Sequence, residues 1–372
     1  MCYKKFDFEG YSIEVEEPTL YVDNEARKRS GYLSHALAAF GPSSFIDFNS
    51  NCSASLNNGQ SPFGWVEYRF SNDAGKSYSE VYDLPYSRNA IHDGLNSISV
   101  EKAVVCDDGT IVAFCLTNSI SMGAPWDAPT VIRSTDGGKT WSDPVDFIGR
   151  PSRIYDAVYR DGVIYTFSTS NDHLIGSSVD KHRFYLYKSL DNGKTFEVSY
   201  DETHWVHIFP IGRGYGSLAF DDVGNLHAFA YVDTDKTVIE HAISYDRASD
   251  KDSNTAVRRS WSIADRCYVN LGAENPQVAY MDGIFLMHGC SADGKSLVLY
   301  TSKDGSEWSE GHIIATKDSC GFKQYASNNL CLSDERGKFL LVQYSESYDG
   351  GKVNVKHVKL RINKNEKGVS EA

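Results

Sequence analysis

The stretch "STDGGKTW", which begins at Ser134, is a polar turn with serine, aspartate and glycine in a fixed order, closed by an aromatic residue. The same pattern, S-x-D-x-G-x-[S/T]-[aromatic], is called the box below and recurs at Ser71 ("SNDAGKSY") and Ser189 ("SLDNGKTF"). A shortened copy begins at Ser302 ("SKDGSEW") and a decayed copy at Ser244 ("SYDRAS"). The starts are separated by 63, 55, 55 and 58 residues, so the chain repeats one structural unit.

Between the boxes, short apolar strands alternate with Asp/Gly turns, as in "AVVCDDGTIVAFCLTN" and "PQVAYMDGIFLMHGC". Units of about 50 residues with about four strands are typical of propeller blades. "SHALAAFGPSSFIDFN" before the first box and "ASNNLCLSDERGKFLLVQYSES" after the last one complete a set of six. We therefore predict an all-β fold, a six-bladed β-propeller of four-stranded antiparallel blades forming one domain over residues 1–362.

The two ends of the chain are predicted to differ in role. The N-terminal "YSIEVEEPTLYVD" is expected to supply the outer strand of the last blade, which would remove an exposed sheet edge. Residues 363–372, which end in "KNEKGVSEA", are predicted to be a disordered tail. The boxes are predicted to be structural, with Asp accepting backbone N–H bonds and the aromatic residue packing between sheets.

Composition narrows the possible partners. The formal net charge is −13, which argues against a nucleic-acid partner. The eight cysteines form no metal-binding spacing, and no metal or other cofactor is predicted. The N-terminal residues have no apolar leader and the chain has no run of 18 apolar residues, so we expect no membrane partner. A cytoplasmic location is predicted, or a secreted one if a leader has been removed; the oligomeric state is left open.

Ligand groups gather where the inner strands of a propeller begin, at one mouth of the central channel. Counting back from the first hairpin turn of each blade predicts these starts, and the residues there are far more polar than the strands that they open. The predicted ring consists of Ser34, His35, Ser99, Glu101, Arg153, Tyr155, Asp156, Arg213, Tyr215, Glu274, Gln277, Tyr325 and Asn328.

The boxes and the six units resemble the Asp-box (BNR) repeats of the sialidase-like propeller superfamily over about residues 30–360. "GAENPQVAYMDGIFLM" resembles the sialidase segment whose glutamate assists the nucleophile, which implies that role for Glu274. "QYASNNLCLSDERGKFLLVQYSES" resembles the segment carrying the tyrosine nucleophile, which implies that role for Tyr325. The resemblance implies a retaining, exo-acting glycoside hydrolase, in which a carboxylate takes the phenol proton. The alternative is a hydrogen-bonded pair that closes the channel mouth.

Departures from the sialidase pattern concern the three arginines that hold the sugar carboxylate. "YLSHALAAF" has no arginine on the first inner strand, and His288 and Cys290 stand where a second one is expected. Lys317 and Lys323 are the cations nearest to the place of the third. Because lysine lacks the bidentate fork of arginine, we expect a glycan terminus other than ordinary sialic acid.

Further candidates surround the predicted pair. Asp156 is the first candidate for the proton donor, and Asp93, in the loop "SRNAIHDGLNS", is the next; Glu101 and His92 are also considered. Arg153 and Arg213 are expected either to hold an acidic sugar or to pair with a ring carboxylate. Trp126 and Trp205 are expected either to stack on a sugar or to pack between blades. The predicted substrate-binding set is His35, Glu101, Arg153, Tyr155, Arg213, Tyr215, Gln277, Asn328, Trp126 and Trp205.

Two other functions fit the same residues. A polysaccharide lyase acting on uronate-containing glycans would use His35 with a tyrosine to abstract a proton next to the carboxylate. A non-catalytic glycan-binding propeller would also account for the missing arginines. A carbohydrate partner is expected in all three cases.

Overall fold

In the computed structural model, the described residues are 2–31, 35–53, 64–92, 96–119, 128–147, 152–170, 183–198, 208–209, 213–246, 259–262, 264–316 and 327–365. Within them, side chains are not described at 2, 35, 91–92, 96, 118–119, 169–170, 183, 198, 213, 245–246 and 259–260. In this part of the chain, no helix has the length and apolar character needed to cross a membrane.

The first quarter of the chain forms three N-terminal strands, the first blade and a short helix. These elements are β1 (Cys2–Phe8), β2 (Tyr11–Glu16), β3 (Thr19–Val22), β4 (Arg29–Ser30), β5 (His35–Ala39), β6 (Phe45–Ser53), β7 (Gly64–Ser71), β8 (Tyr82–Asp83) and α1 (Pro85–His92).

Blades two, three and four follow in order along the chain. Their strands are β9 (Asn96–Val105), β10 (Ile111–Ser119), β11 (Thr130–Ser134), β12 (Val145–Asp146), β13 (Ser152–Arg160), β14 (Val163–Ser170), β15 (Arg183–Ser189), β16 (Glu197–Val198), β17 (Arg213–Phe220), β18 (Leu226–Val232), β19 (Asp235–Asp246), β20 (Arg259–Trp261) and β21 (Asp265–Tyr268).

Blades five and six complete the ring. Their strands are β22 (Glu274–Met281), β23 (Ile284–Cys290), β24 (Ser296–Ser302), β25 (His312–Thr316), β26 (Ser327–Asp334), β27 (Gly337–Asp349) and β28 (Lys352–Lys364). The innermost strands are β5, β9, β13, β17, β22 and β26, and each contacts the next around a closed circle, since β26 also contacts β5. The predicted six-bladed β-propeller is confirmed.

The ring is closed by hydrogen bonding between the two ends of the chain. Strand β2 pairs with β28, with Ile13 opposite Ile362, so the predicted closing strand is confirmed. The N-terminal segment contributes more than was predicted, because β1 adds a further strand outside β2 and β3 pairs with another part of β28. Strand β28 extends to Lys364, two residues past the predicted domain boundary, and residues 366–372 lie outside the described chain.

Apolar side chains collect between the blades rather than in one central core. Among the described residues, buried side chains form six clusters, one at each interface between neighbouring blades. Each cluster uses the inward-facing residues of two sheets, as expected when period-2 strands pack face to face. This arrangement leaves the central channel to be lined by the innermost strands alone.

The box lies at the turn between the third and fourth strands of its blade, as the pattern predicts. In blade two, Asp136 Oδ1 accepts from the backbone N–H groups of Lys139 (3.1 Å) and Thr140 (2.9 Å). Ser134 Oγ donates to Asp136 and accepts from the Gly138 N–H, both at 2.8 Å. Hydrogen bonds with Thr140, first the side-chain one, lower the pKa of Asp136 to about 2. The turn therefore uses its carboxylate as a structural anion.

The aromatic residue that ends each box packs against the preceding blade. The Trp141 ring lies 5.8 Å from Phe48 and from Tyr68 of blade one, between ring centroids. Phe196 makes the corresponding contact with Phe114 of blade two at 5.7 Å. These contacts explain why an aromatic residue follows the turn in each copy.

One element differs from the sequence expectation. The segment around "SRNAIHDGLNS", predicted as a loop, contains helix α1 at its start, which packs against β7 and β9. Ser87 Oγ donates to the Leu84 carbonyl and accepts from the Val66 N–H, both at 2.9 Å, tying the first turn to blade one. A short helix with little local signal forms here because tertiary contacts hold it.

Candidate functional site

The inner strands of blades two to five each carry one extra residue near the channel mouth. In β9 the register against β10 skips Glu101, and in β13 the register against β14 skips Tyr155. Strands β17 and β22 shift by one residue in the same way, around Tyr215 and Asn275 respectively. A bulge redirects side chains and ends regular pairing, so the mouth is lined by residues that a regular strand would have directed elsewhere.

Arg153 is the centre of a compact group at the mouth. Its Nη2 lies 3.1 Å from Glu101 Oε2, and its Nη1 donates to the Tyr215 hydroxyl. The guanidinium carbon lies 4.6 Å from the centre of the Tyr215 ring, and the rings of Tyr155 and Tyr215 are 4.6 Å apart. Arg153 therefore pairs with a ring carboxylate, which is one of the two roles expected for it.

Electrostatics in this group keep the phenol protonated. Burial raises the pKa of Tyr215, the Arg153 guanidinium opposes that rise, and the Glu101 and Glu274 carboxylates add to it. Tyr215 is therefore a hydrogen-bonding group rather than an anion at neutral pH.

Deeper in the channel, Lys102 on β9 contacts residues of three other inner strands. Its ammonium donates to Gln277 Oε1, donates to Asn328 Oδ1 at 2.9 Å and lies 3.2 Å from Asp156 Oδ1. All four residues are more than nine-tenths buried. We call these four residues the plug, since they separate a small mouth pocket from a larger channel cavity.

The volumes on the two sides of the plug are different. The mouth pocket, about 50 Å³, is lined by the Arg153 group together with Asn275, Ser327 and members of the plug. The channel cavity beyond the plug measures about 370 Å³ and is lined mainly by alanine, valine and leucine. Polar groups converge at the mouth, so the smaller pocket is the better candidate site.

Both carboxylate oxygens of Asp156 accept hydrogen bonds. In addition to Lys102, its Oδ2 accepts from Ser217 Oγ and the Leu218 N–H, both at 2.8 Å, and its Oδ1 accepts from the Ala157 N–H at 2.9 Å. A proton donor must hold a proton where these donors point, so the geometry supports a structural anion rather than the predicted acid.

Glu274 has a different environment. It begins β22, and its carboxylate Oε2 forms an ion pair with Lys236 of β19. The two side chains are 32% and 30% exposed respectively, in contrast to the buried plug. Among the described residues, Lys236 is the hydrogen-bond partner of this carboxylate, and no described donor reaches Oε1.

His288, which stands where a sialidase arginine was expected, is fully buried. Its Nε2 accepts from the Asn329 amide at 2.9 Å, so Nδ1 carries the proton and donates to Ser327 Oγ, also at 2.9 Å. Burial, with the Lys102 ammonium second, lowers the pKa of His288 to about 3. The imidazole therefore stays neutral and anchors the start of β26, two residues after Tyr325 in the sequence.

The structure brings together a large part of the predicted ring. Glu101, Arg153, Tyr215, Gln277 and Asn328 all line the mouth pocket, with Tyr155 among them. His35 and Arg213 begin β5 and β17 as expected, but their side chains are not described. Ser99 is buried, and its Oγ donates to Glu101 Oε1 at 3.1 Å. Five predicted residues lie outside the described chain: Ser34, Tyr325, Asp93, Trp126 and Trp205.

Two lysines at the site were missed by sequence reasoning. Lys102, in "SVEKAVV", interrupts an apolar inner strand, and that interruption was a usable signal. Lys236 follows a turn in blade four, and nothing in its local sequence indicates a partner 38 residues away. The described residues contain no group of three or more side chains that could ligate a metal ion.

Comparison with known proteins supports the fold. No profile of a known protein family and no curated protein matches the sequence. A protein of unknown function from Dyadobacter fermentans DSM 18053 superposes with a TM-score of 0.68 at 15% identity, over 94% of this chain and 99% of that one.

Two sialidases have similar structures. The Hadza microbial sialidase Hz136 has a TM-score of 0.62 at 13% identity, over 94% of this chain and 68% of that one. The Trypanosoma rangeli sialidase, solved with 2,3-difluorosialic acid as a covalent intermediate, has a TM-score of 0.57 at 12% identity, over 96% of this chain and 59% of that one. The chain therefore has the fold of the sialidase-like six-bladed β-propellers.

Proposed function

We propose that the protein is a glycoside hydrolase that removes a sugar from the end of a glycan, with retention of configuration. Tyr325 is the nucleophile and Glu274 is its base. The observation that carries the proposal is the position of Glu274, a carboxylate with about a third of its side chain exposed at the start of an inner strand. A carboxylate that served to close the channel would be buried, as Asp156 is.

The contacts of Glu274 suit a general base. Lys236 binds Oε2 and restricts the rotation of the carboxylate, while Oε1 has no described donor. A phenol has an ordinary pKa near 10 and needs a nearby acceptor when it attacks, which Oε1 can provide. Lys236 is therefore a positioning residue in this proposal.

The reaction proceeds in two balanced steps. In the first, the Tyr325 oxygen attacks the anomeric carbon and its proton passes to Glu274. The glycosidic C–O bond breaks, and a carboxylic acid protonates the departing oxygen. In the second, the carboxylate left by that acid takes a proton from water as the water oxygen attacks the anomeric carbon; the bond to the tyrosine oxygen breaks, and Glu274 returns the proton to the tyrosine. Since Asp156 is saturated with donors, Asp93 is the proposed acid.

Two further points support this assignment. The Trypanosoma rangeli sialidase, which shares the fold, forms a covalent intermediate with 2,3-difluorosialic acid. The Arg153 group surrounds a polar pocket of about 50 Å³ beside Asn275, which has room for a hydroxyl group of a sugar that lies across the mouth. The residues proposed to hold the sugar are His35, Glu101, Arg153, Tyr155, Arg213, Tyr215, Gln277, Asn328, Trp126 and Trp205.

Hydrolysis of a panel of fluorogenic glycosides tests the proposal. The wild type is expected to release the fluorophore from at least one sugar, and Tyr325→Phe and Glu274→Gln are expected to lose about a thousandfold or more of that rate. Tyr268→Phe, at a side chain that is 70% exposed on β21, is the matched control and keeps full activity. Equal turnover by wild type and Tyr325→Phe would overturn the nucleophile assignment, and an unsaturated product would indicate a lyase.

A further inference from the structure

Each charged side chain described around the mouth and the plug has a partner of opposite charge. Arg153 pairs with Glu101 and Lys102 with Asp156, while Lys236 pairs with Glu274. Three cations and three carboxylates give this described group no net charge. The side chain of Arg213 is not among those described, and Lys317 and Lys323 lie outside the described residues.

Two of these three ion pairs are buried, so their members are costly to separate. The side chains of Arg153 and Glu101 are 6% and 10% exposed, and those of Lys102 and Asp156 are 10% and 9% exposed. A sugar carboxylate could bind Arg153 only by displacing Glu101, which would leave a buried carboxylate without its cation. Separating a buried pair in this way is strongly unfavourable.

The field of the whole chain acts in the same direction. The formal net charge of −13 lowers the concentration of anions near the surface. A neutral sugar approaches the mouth without this repulsion.

One uncommitted group at the mouth is an acceptor. Asn275 lines the mouth pocket next to Glu274, with its backbone at a φ of 53°, in the left-handed region. Its Oδ1 is buried, and no donor reaches it among the described residues. When the Asn275 side chain turns its oxygen toward the pocket, a sugar hydroxyl can donate a hydrogen bond to it, whereas an ionised carboxylate has no proton to donate.

We infer that the terminal sugar accepted at this mouth is neutral, a hydroxyl-bearing hexose, pentose or N-acetylhexosamine without a carboxylate. The inference rests on the proposed function and names its substrate class. Asn275 is the residue that contacts the sugar hydroxyl, and the Glu101–Arg153 pair excludes acidic sugars.

The first experiment compares neutral with acidic sugars on the full chain. Fluorogenic galactoside, glucoside, fucoside, xyloside and N-acetylhexosaminides are measured beside a sialoside and a glucuronide. The best neutral sugar is expected to have a kcat/KM at least about a hundredfold above that of either acidic sugar. A sialoside or glucuronide that is the best substrate would overturn the inference and leave the hydrolase proposal standing.

The second experiment removes the carboxylate charge that pairs with Arg153. Glu101→Gln keeps the shape of the side chain and removes its charge, so the acidic-to-neutral ratio of kcat/KM is expected to rise at least tenfold. Glu335→Gln, at an exposed ion pair with Lys76, is the control and leaves the ratio unchanged. Thermal unfolding confirms that both variants are folded, and an unchanged ratio in folded Glu101→Gln would overturn the role given to this pair.

Binding measurements separate failure of the inference from failure of the proposed function. If no sugar is hydrolysed, saturation-transfer NMR with methyl galactoside, methyl N-acetylglucosaminide, methyl glucuronide and methyl sialoside is the readout. Preferential binding of a neutral glycoside would support the inference and reject the hydrolase. Preferential binding of an acidic glycoside would reject the inference, and no binding at all would reject both.

Discussion

The two members of the buried Lys102–Asp156 pair are expected to contribute very unequally to stability. Asp156→Asn removes the negative charge and places an amide N–H₂ against donors on either side of the former carboxylate. Lys102→Met keeps the apolar stem and removes the ammonium. In the first variant a buried cation loses its carboxylate and keeps only the amide acceptors of Gln277 and Asn328. In the second a buried anion keeps three hydrogen-bond donors.

The magnitudes follow from these contacts. Removing one partner of a buried ion pair typically costs about 3–5 kcal/mol of folding free energy, which we expect for Asp156→Asn. For Lys102→Met we expect a loss of about 1–3 kcal/mol, because Ser217, Leu218 and Ala157 still satisfy the carboxylate. The double variant should be more stable than the sum of the two losses implies, since no unpaired charge remains.

Urea unfolding followed by tryptophan fluorescence gives the free energies. Asp282→Asn, which breaks an ion pair with the exposed Lys338, is the control and should cost less than about 1 kcal/mol. A loss for Lys102→Met that equals or exceeds the loss for Asp156→Asn would refute the reasoning about the plug.

Three further predictions concern the fold. Burial lowers the pKa of His241 and of His288 to about 3. Below about pH 6.5 these histidines are therefore protonated in the unfolded chain and neutral in the folded chain. As the pH decreases, the free energy of unfolding should fall by up to about 1.4 kcal/mol per pH unit for each histidine. Urea unfolding between pH 7.5 and 5 should show this slope, and His288→Gln should reduce it; a slope that is unchanged in that variant would contradict the assignment. Gly137 and Gly138 both have positive φ, but a Cβ at Gly138 would lie 2.7 Å from Phe70 Cζ, whereas one at Gly137 meets nothing within 4 Å. Gly138→Ala should therefore lower the free energy of unfolding more than Gly137→Ala, by about 1–2 kcal/mol in urea unfolding. Equal losses would show that the contact is relieved without strain. Trp141→Ala removes a contact between blades one and two and should lower the free energy of unfolding by about 2–3 kcal/mol in urea. Tyr268→Ala, at an exposed side chain, should lower it by less than about 0.5 kcal/mol. Similar losses from both variants would show that the aromatic residue of the box does not join the blades.

The blades were predictable because the residues that form each turn are close together in the sequence and recur from copy to copy. Each box carries its own Ser, Asp and Gly in one turn, so its hydrogen bonds form within about eight residues and are visible as a pattern. Ring closure by β2 was predictable from the sheet edge that would otherwise be exposed. Helix α1 was not predicted, because its stability comes from contacts with β7 and β9 rather than from its own sequence.

The site was predictable in outline only. Counting from hairpin turns found the strand starts at His35, Arg213 and Glu274. It could not show that Glu101 and Tyr155 occupy bulges, since a bulge depends on the register against a neighbouring strand. The pairs joining Lys102 to Asp156 and Lys236 to Glu274 cross between strands that are distant in the sequence, and no local pattern encodes them.

Covalent trapping tests the central claim most directly. The protein is incubated with 2-deoxy-2-fluoro glycosides bearing a good leaving group, one for each sugar in the panel, and examined by intact mass followed by peptide mapping. A single added fluorosugar on the peptide containing Tyr325, absent in Tyr325→Phe and retained in Tyr268→Phe, is the predicted result. Hydrolysis of the matching glycoside without any adduct on that peptide, or an adduct that persists in Tyr325→Phe, would contradict the tyrosine mechanism.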